Sequence, residues 1–300
     1  MLEVVITGTG FPRPDPNRAG PGVLVRDASA KVQIDAGRAT VMRLAAEGVR
    51  SADLDVLLLT HHHSDHVMGV VDIAMSRWME SGQRVMDSLP VAYPDGPLRT
   101  FLDRAFVPWQ DDIEVRVGHS GTDAVPAFEQ LPFTASHEPG AVGSWGDLHV
   151  SSILVRHEPV LPAVAYRVEN DHGAVVVSGD TVVCDEVCTL AQDAQVLVHS
   201  GLSHQAVAGL PYEWVKDYHA DSVGIGAMAK RAGIKVLLLT HLIPPPNDPG
   251  LRQQFIDDVR GGGFEGEIVV CDDLDRVEII DGAPRIVLHS GQTTEGGDRA

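Results

Sequence analysis

The sequence predicts an α/β protein built as a four-layer αββα sandwich. Three observations carry this. Short β-branched runs fill both halves of the chain, helical stretches follow in each half, and several apolar runs empty directly into histidine or aspartate. A buried strand that ends in a polar cluster is where an α/β protein places its chemistry.

In order, LEVVITG, GVLVRD and KVQIDAG read as strands punctuated by glycine, and RATVMRLAAEGV as a helix stopped by Gly48. DVLLLT reads as a buried strand. Residues 67–130 mix the helix-like VVDIAMSRWMESG and LRTFLDRAF with Pro and Gly. A substrate-covering helical insertion fits this stretch, with Trp78, Phe106 and Trp109 as candidate pocket walls; an ordinary surface subdomain that packs its tryptophans fits equally well. The second half returns to strands in LHVSSILVRH, AVAYRVEN, AVVVSGDT and AQVLVHSG. ADSVGIGAMAKRAGI is helical, KVLLLTH is a second buried strand ending in histidine, and EGEIVVCDD and DRVEIID close the chain. No stretch reads as a linker, so one domain over 1–300 is expected. The polar GQTTEGGDRA is expected to fray.

Bulk properties narrow the function. The 300 residues are 44% apolar and 22% charged, which suits a globular enzyme. With 23 basic and 42 acidic residues the formal charge is −19. Such a surface repels phosphate backbones, so a small-molecule substrate is expected and nucleic acid is not. No apolar window is long enough for a membrane span and no signal peptide is visible. Cys184, Cys188 and Cys271 are too few and too scattered for a disulfide framework, which fits a reducing cytoplasm.

The segment LLLTHHHSDHVMG concentrates the chemistry. His61, His62, His63, Asp65 and His66 lie within one turn of chain after a buried strand. Imidazole nitrogen and carboxylate oxygen are the donors zinc favours, and manganese or iron would also accept this set. His61 and His63, two apart, point the same way in extended backbone and can share a metal, with His62 turned away. Asp65 and His66 can reach a second ion. Two metals need more ligands, and His157, Asp180 and His241 each end an apolar run at the rim of the sandwich.

HHHSDH fits the H-x-H-x-D-H signature of the metallo-β-lactamase superfamily. The later pieces resemble the branch holding ribonuclease Z and the metallo-β-lactamase-type arylsulfatases. His157 precedes the strand with Tyr166, Arg167 and Val168; Ser178 to Thr181 spell S-G-D-T; Leu239 to His241 spell L-T-H. The opening TGTGFPRPDPNRAGPGVLV is most similar to the arylsulfatase-like subgroup. The resemblance, over roughly residues 3–280, implies the metallo-β-lactamase sandwich and two zinc ions. It assigns His61, His63 and His157 to one ion, Asp65, His66 and His241 to the other, and Asp180 to both. His137, in SHEPG, competes with His157. His119, His149, His172, His204 and His289 lack such context.

The implied reaction is hydrolysis of a small ester-type substrate (a sulfate ester, phosphodiester, lactone or carboxylic ester) by a hydroxide held between the metals, with Asp65, Asp180 and His219 as catalytic residues. His219, in YHADS, is similar to the non-ligand histidine of ribonuclease Z and its relatives, which helps stabilise the transition state or protonates the leaving group. One departure stands out. The family commonly places glutamate after the histidine matched by His199; here Ser200 follows, and Asp221 is the candidate replacement. Arg13 and Arg18 lie in a loop that could meet an anionic group, and the relatives suggest a homodimer. The alternatives are transfer-RNA 3′ processing, disfavoured by charge and by only nine residues between Val168 and Ser178 where an RNA-binding arm would be inserted, and a non-catalytic metal-binding protein.

Overall fold

The computed structural model describes residues 1–82 and 88–289; the polar tail expected to fray lies outside the described residues. The elements follow as β1 Leu2–Gly8, β2 Gly22–Arg26, β3 Lys31–Ile34, α1 Thr40–Ala46, β4 Val56–Leu58, α2 Ser64–Val67, α3 Val70–Glu80, β5 Leu89–Pro94, α4 Pro97–Arg104, α5 Gln110–Ser120, β6 Phe128–Phe133, β7 Gly140–Trp145 and β8 Leu148–Leu154. Then come β9 Val164–Asn170, β10 Gly173–Val177, α6 Asp185–Leu190, β11 Val196–Leu202, α7 His204–Val207, α8 Ser222–Arg231, β12 Val236–Ile243, α9 Pro249–Gly261, β13 Glu267–Val270, β14 Arg276–Ile280 and β15 Ala283–Val287.

Two sheets form. One runs β15-β14-β1-β2-β3-β4-β5-β6 and the other β13-β12-β11-β10-β9-β8-β7. Each is half antiparallel and half parallel; β3 to β6 are parallel in the first, and β10 to β13 in the second. Alternation of side chains explains the layers. In β4, Val56 and Leu58 enter the core between the sheets, while Leu57 faces the outer helices. In β12, Val236 and Leu238 face inward and Leu237 and Leu239 outward. Leu44 of α1, Ile73 of α3 and Leu102 of α4 cover the first sheet; Val187 of α6, Met228 of α8 and Phe255 of α9 cover the second. The result is the αββα sandwich that the apolar runs predict.

The strands absent from the sequence reading are β5, β6, β7 and β15. Three of them, β6, β7 and β15, are edges, half exposed, and β5 and β6 carry prolines, so none shows a clean apolar pattern. The stretch 67–130 thus supplies β5 to the first sheet as well as the helices α3, α4 and α5. Among the described residues no helix is long and apolar enough to cross a membrane. All three cysteines are free and buried.

Candidate metal centre

The parallel strands β4, β10 and β12 deliver their C-terminal ends to one place. The loop after β4 carries His61 and His63, the short helix α2 that follows carries Asp65 and His66, the turn after β10 carries Asp180, and the end of β12 carries His241. His157 arrives from the β8–β9 connection, three residues beyond the strand it was expected to end. Local backbone fixes these positions. Gly179 has φ 60°, and a Cβ there would press on Thr60 at 3.0 Å. Asp35 and His241 hold φ of 53° and 49°, a region that few residues other than glycine occupy.

Donor atoms converge in two sets, with Asp180 of the first lying within 3.5 Å of His66 and His241 of the second. Those of His61, His63, His157 and Asp180 lie within 4.8 Å of one another, as do those of Asp65, His66 and His241. The His66 Nε2 is 3.3 Å from Asp180 Oδ2, and the His241 Nε2 is 3.2 Å from Asp65 Oδ2 and 3.5 Å from Asp180 Oδ2. His61, Asp65, His66, His157, Asp180 and His241 are buried, and His63 is half-buried. Several atoms at the centre, His61 Nε2, His66 Nε2 and Asp180 Oδ1, are buried with no hydrogen-bond partner. Buried polar atoms are rarely left so. Unpaired imidazole and carboxylate lone pairs aimed at one point fit a cation, and the mixed nitrogen and oxygen donor set fits a zinc-type ion.

The rings are oriented from behind. His66 Nδ1–H donates to Asp35 Oδ2 at 2.7 Å, and His61 Nδ1–H to Thr60 Oγ1 at 2.9 Å. Thr60 in turn donates from its hydroxyl and its amide to the two Asp35 oxygens, each at 2.8 Å. His157 Nδ1–H donates to the Tyr218 carbonyl at 3.0 Å. These bonds fix the tautomer that leaves each Nε2 free to face the centre. Tyr166, fully buried, donates its hydroxyl to the Leu59 carbonyl at 2.8 Å and ties β9 to the start of the histidine loop. Asp35, Thr60 and Tyr166 went unread as site residues. The signal for Asp35 was present, since it directly follows the apolar end of β3, as His61, Asp180 and His241 follow or end theirs.

Charge is arranged oppositely on the two kinds of donor. Burial opposes ionisation of Asp65, but His241 and His66 beside it hold its pKa at about 2. Asp180 is likewise buried yet held well below the carboxylate range by His241 and His66. Burial, and the neighbouring His66, push His61 far down, so it stays neutral and able to ligate. His66 is pulled the other way: burial disfavours its cation, and Asp180 and Asp35 outweigh that.

The remaining predicted residues sort clearly. His219 is brought to the cluster, with a ring nitrogen within 4.8 Å of Asp180 and His241 donors, and burial lowers its pKa to about 3. Asp221 is not its partner; it accepts from the His204 amide at 3.2 Å. Ser200 lies beside Asp180, lining a cavity of about 30 Å³, and donates to the Gly179 carbonyl at 3.0 Å. His137 is exposed and faces Glu186 at 3.4 Å, away from the cluster that holds His157. His119, His149 and His289 are exposed; His172 pairs with Asp281 at 3.0 Å, and His204 lies 3.8 Å from Asp221. Of the three candidate pocket walls only Trp109 lines a cleft, with Met75 and Met79. Trp78 is buried and donates to the Ala124 carbonyl, and Phe106 stacks on Phe128. Arg18 is engaged by Asp272 and Thr9; Arg13 is exposed, its guanidinium 4.5 Å over the Tyr212 ring.

Fold and donor set together define a metal-dependent hydrolase of the metallo-β-lactamase fold. The chain belongs to the beta-lactamase superfamily, whose domain profile matches residues 27–242. It is 36% identical over 285 residues to a ribonuclease Z of Mycobacterium bovis, covering 93% of this chain and 99% of that one. Among solved structures it resembles a metallo-beta-lactamase fold protein of Bacillus subtilis (TM-score 0.71, 19% identity, covering 92% of this chain and 98% of that one). It also resembles the short form of human tRNase Z (TM-score 0.67, 20% identity, covering 92% and 99%).

These relatives correct two expectations. Nucleic acid was set aside in favour of a small-molecule partner because of net charge and the missing arm, yet the curated relatives are named for a ribonuclease. Net charge sums the whole surface, whereas a scissile phosphate meets only the local site. A relative aligned over 99% of its own length with this chain carries that name without being longer, so the gap between Val168 and Ser178 was weak ground. The arylsulfatase-like label likewise gives way to ribonuclease Z.

Proposed function

We propose that this protein is a dinuclear zinc-dependent phosphodiesterase that cuts RNA, releasing 3′ trailers from transfer-RNA precursors. The observation that carries this reading is the 36% identity with a ribonuclease Z across nearly the full length of both chains. The donor geometry supports it: His61, His63, His157 and Asp180 would hold one ion, and Asp65, His66 and His241, with Asp180 shared, the other. Ions held by these donors would supply an acidified water and neutralise charge on a phosphate.

The chain's own residues supply the rest. Asp35, through Thr60 and His66, and the Tyr218 carbonyl, through His157, keep the ligand rings from rotating. Asp65, ionised at neutral pH, can accept a hydrogen bond from the attacking water. His219, neutral and beside Asp180, can donate its single N–H to the oxygen that leaves. With Ser200 in place of the family's glutamate and Asp221 turned to His204, that donor acts without a dedicated carboxylate behind it.

The test is cleavage of a precursor transfer RNA by zinc-loaded protein, beside bis-p-nitrophenyl phosphate, p-nitrophenyl sulfate and a simple lactone. Cleavage at the 3′ end of the mature sequence, lost in Asp180→Ala, is expected. Turnover of the sulfate or lactone with intact precursor would overturn the reading.

A further inference from the structure

Trp214 is a large apolar ring left 58% exposed at the rim of the metal centre. It lies on the short helical turn Glu213–Asp217, between α7 and α8. That turn is firmly seated: Val215 packs with Leu202, Val207 and Ile243, and Phe11 and Tyr212 close over them. The Trp214 ring is tilted 30° against Tyr218 with centroids 5.7 Å apart. Tyr218 in turn lies 4.7 Å from His219 and 5.2 Å from His157. A ladder of rings therefore runs from solvent to the donors. Trp109, also exposed, instead faces the methionine-lined cleft beside α3.

RNA at this rim can be held by groups that need no cation. Aromatic stacking is such a contact, because every base presents a π-face. A base inside a duplex has both faces covered, whereas an unpaired base is free to lie on an exposed ring.

We infer that Trp214 is a stacking platform for the unpaired base of a nucleotide flanking the scissile phosphate. This rests on the ribonuclease reading and adds a binding subsite to it. The exposed face of Trp214 takes the base, and Tyr218, between Trp214 and the rings of His157 and His219, links that platform to the metal ligands.

The experiment measures kcat/KM of the zinc-loaded protein on precursor RNAs that differ only by a baseless nucleotide, placed in turn at each position flanking the cut. For the wild-type protein one position should cost about tenfold when baseless, the scale of a single base–aromatic stack. Trp214→Ala should lose about tenfold on the intact RNA and become indifferent to the missing base, and Trp214→Phe, which keeps a ring, should retain most of the preference. A Trp214→Ala protein that cuts intact RNA as fast as wild type, or that still discriminates against the baseless nucleotide, would overturn the subsite. Failure of the ribonuclease reading looks different: the wild-type protein would hydrolyse bis-p-nitrophenyl phosphate but none of the RNAs, and the subsite would fall with it.

Discussion

The Asp35 carboxylate and the His66 imidazole meet at 2.7 Å behind the donor cluster, Oδ2 to Nδ1, and both are buried. The same carboxylate takes both Thr60 donors, so one side chain governs the orientation of two candidate ligands, His61 and His66. Outer partners of this kind typically contribute 10–100-fold to metal affinity or activity. Asp35→Asn should lower zinc affinity by about tenfold or more, read by competition with a chelator, while the far-UV circular dichroism stays unchanged.

Asp180 belongs to the set with His61, His63 and His157, and its Oδ2 also lies 3.3 Å from His66 Nε2 and 3.5 Å from His241 Nε2. Asp180→Asn keeps its size but removes the charge that faces His66 and His241. Elemental analysis should find fewer than two metals per chain, and cleavage should fall with them. Full occupancy in the variant would show that Asp180 is not shared.

Metal should also stabilise the fold. Ligand binding to the native state alone adds about 2.7 kcal/mol at a hundredfold excess over Kd, which corresponds to several degrees in Tm. Zinc added to chelator-stripped protein should raise Tm accordingly. In His61→Ala the rise should shrink or vanish, because an unpartnered donor at the centre is gone.

Gly37 lies where three backbones cross. A Cβ there would sit 2.4 Å from the Gly20 carbonyl carbon and 2.6 Å from the Asp65 carbonyl oxygen. Backbone cannot yield as a flexible side chain can. Gly37→Ala should cost on the order of 1–3 kcal/mol or more in urea unfolding, and should lower zinc content as well, since it displaces α2, which carries Asp65.

His199 is fully buried on β11, donates Nδ1–H to the Ser200 carbonyl and leaves Nε2 unpartnered. Burial lowers its pKa to about 4 from 6.5. Between those values the unfolded chain takes up a proton that the folded chain refuses, so stability falls as pH drops from 6.5 toward 4 and is fully present above 6.5. The contribution is at most roughly 3 kcal/mol. In metal-free protein, urea midpoints for His199→Gln should depend less on pH across that window than those of wild type. Parallel curves would show that other groups set the acid sensitivity.

Much of the fold was legible because its central strands are buried on both faces. DVLLLT and KVLLLTH announce themselves as apolar runs, and the polar residues after them mark the ends where the site assembles. The edge strands β6, β7 and β15 were not legible, because half-exposed backbone places no constraint on side-chain polarity. The expectation of a small-molecule partner, corrected by relatives named ribonuclease Z, rested on net charge. Net charge is a property of composition, while recognition is a property of a few groups at one rim.

The sequence by itself determined the layered α/β architecture and the histidine and aspartate residues offered as metal donors, since strand periodicity and donor chemistry are both local. Only the tertiary structure decided which of these donors meet. It brought His157 to His63 across 94 positions and left His137 on the surface, and it set Asp35 behind His66 and turned Asp221 toward His204. Those relations depend on which strand ends the sandwich brings together, and no local pattern of residues encodes that.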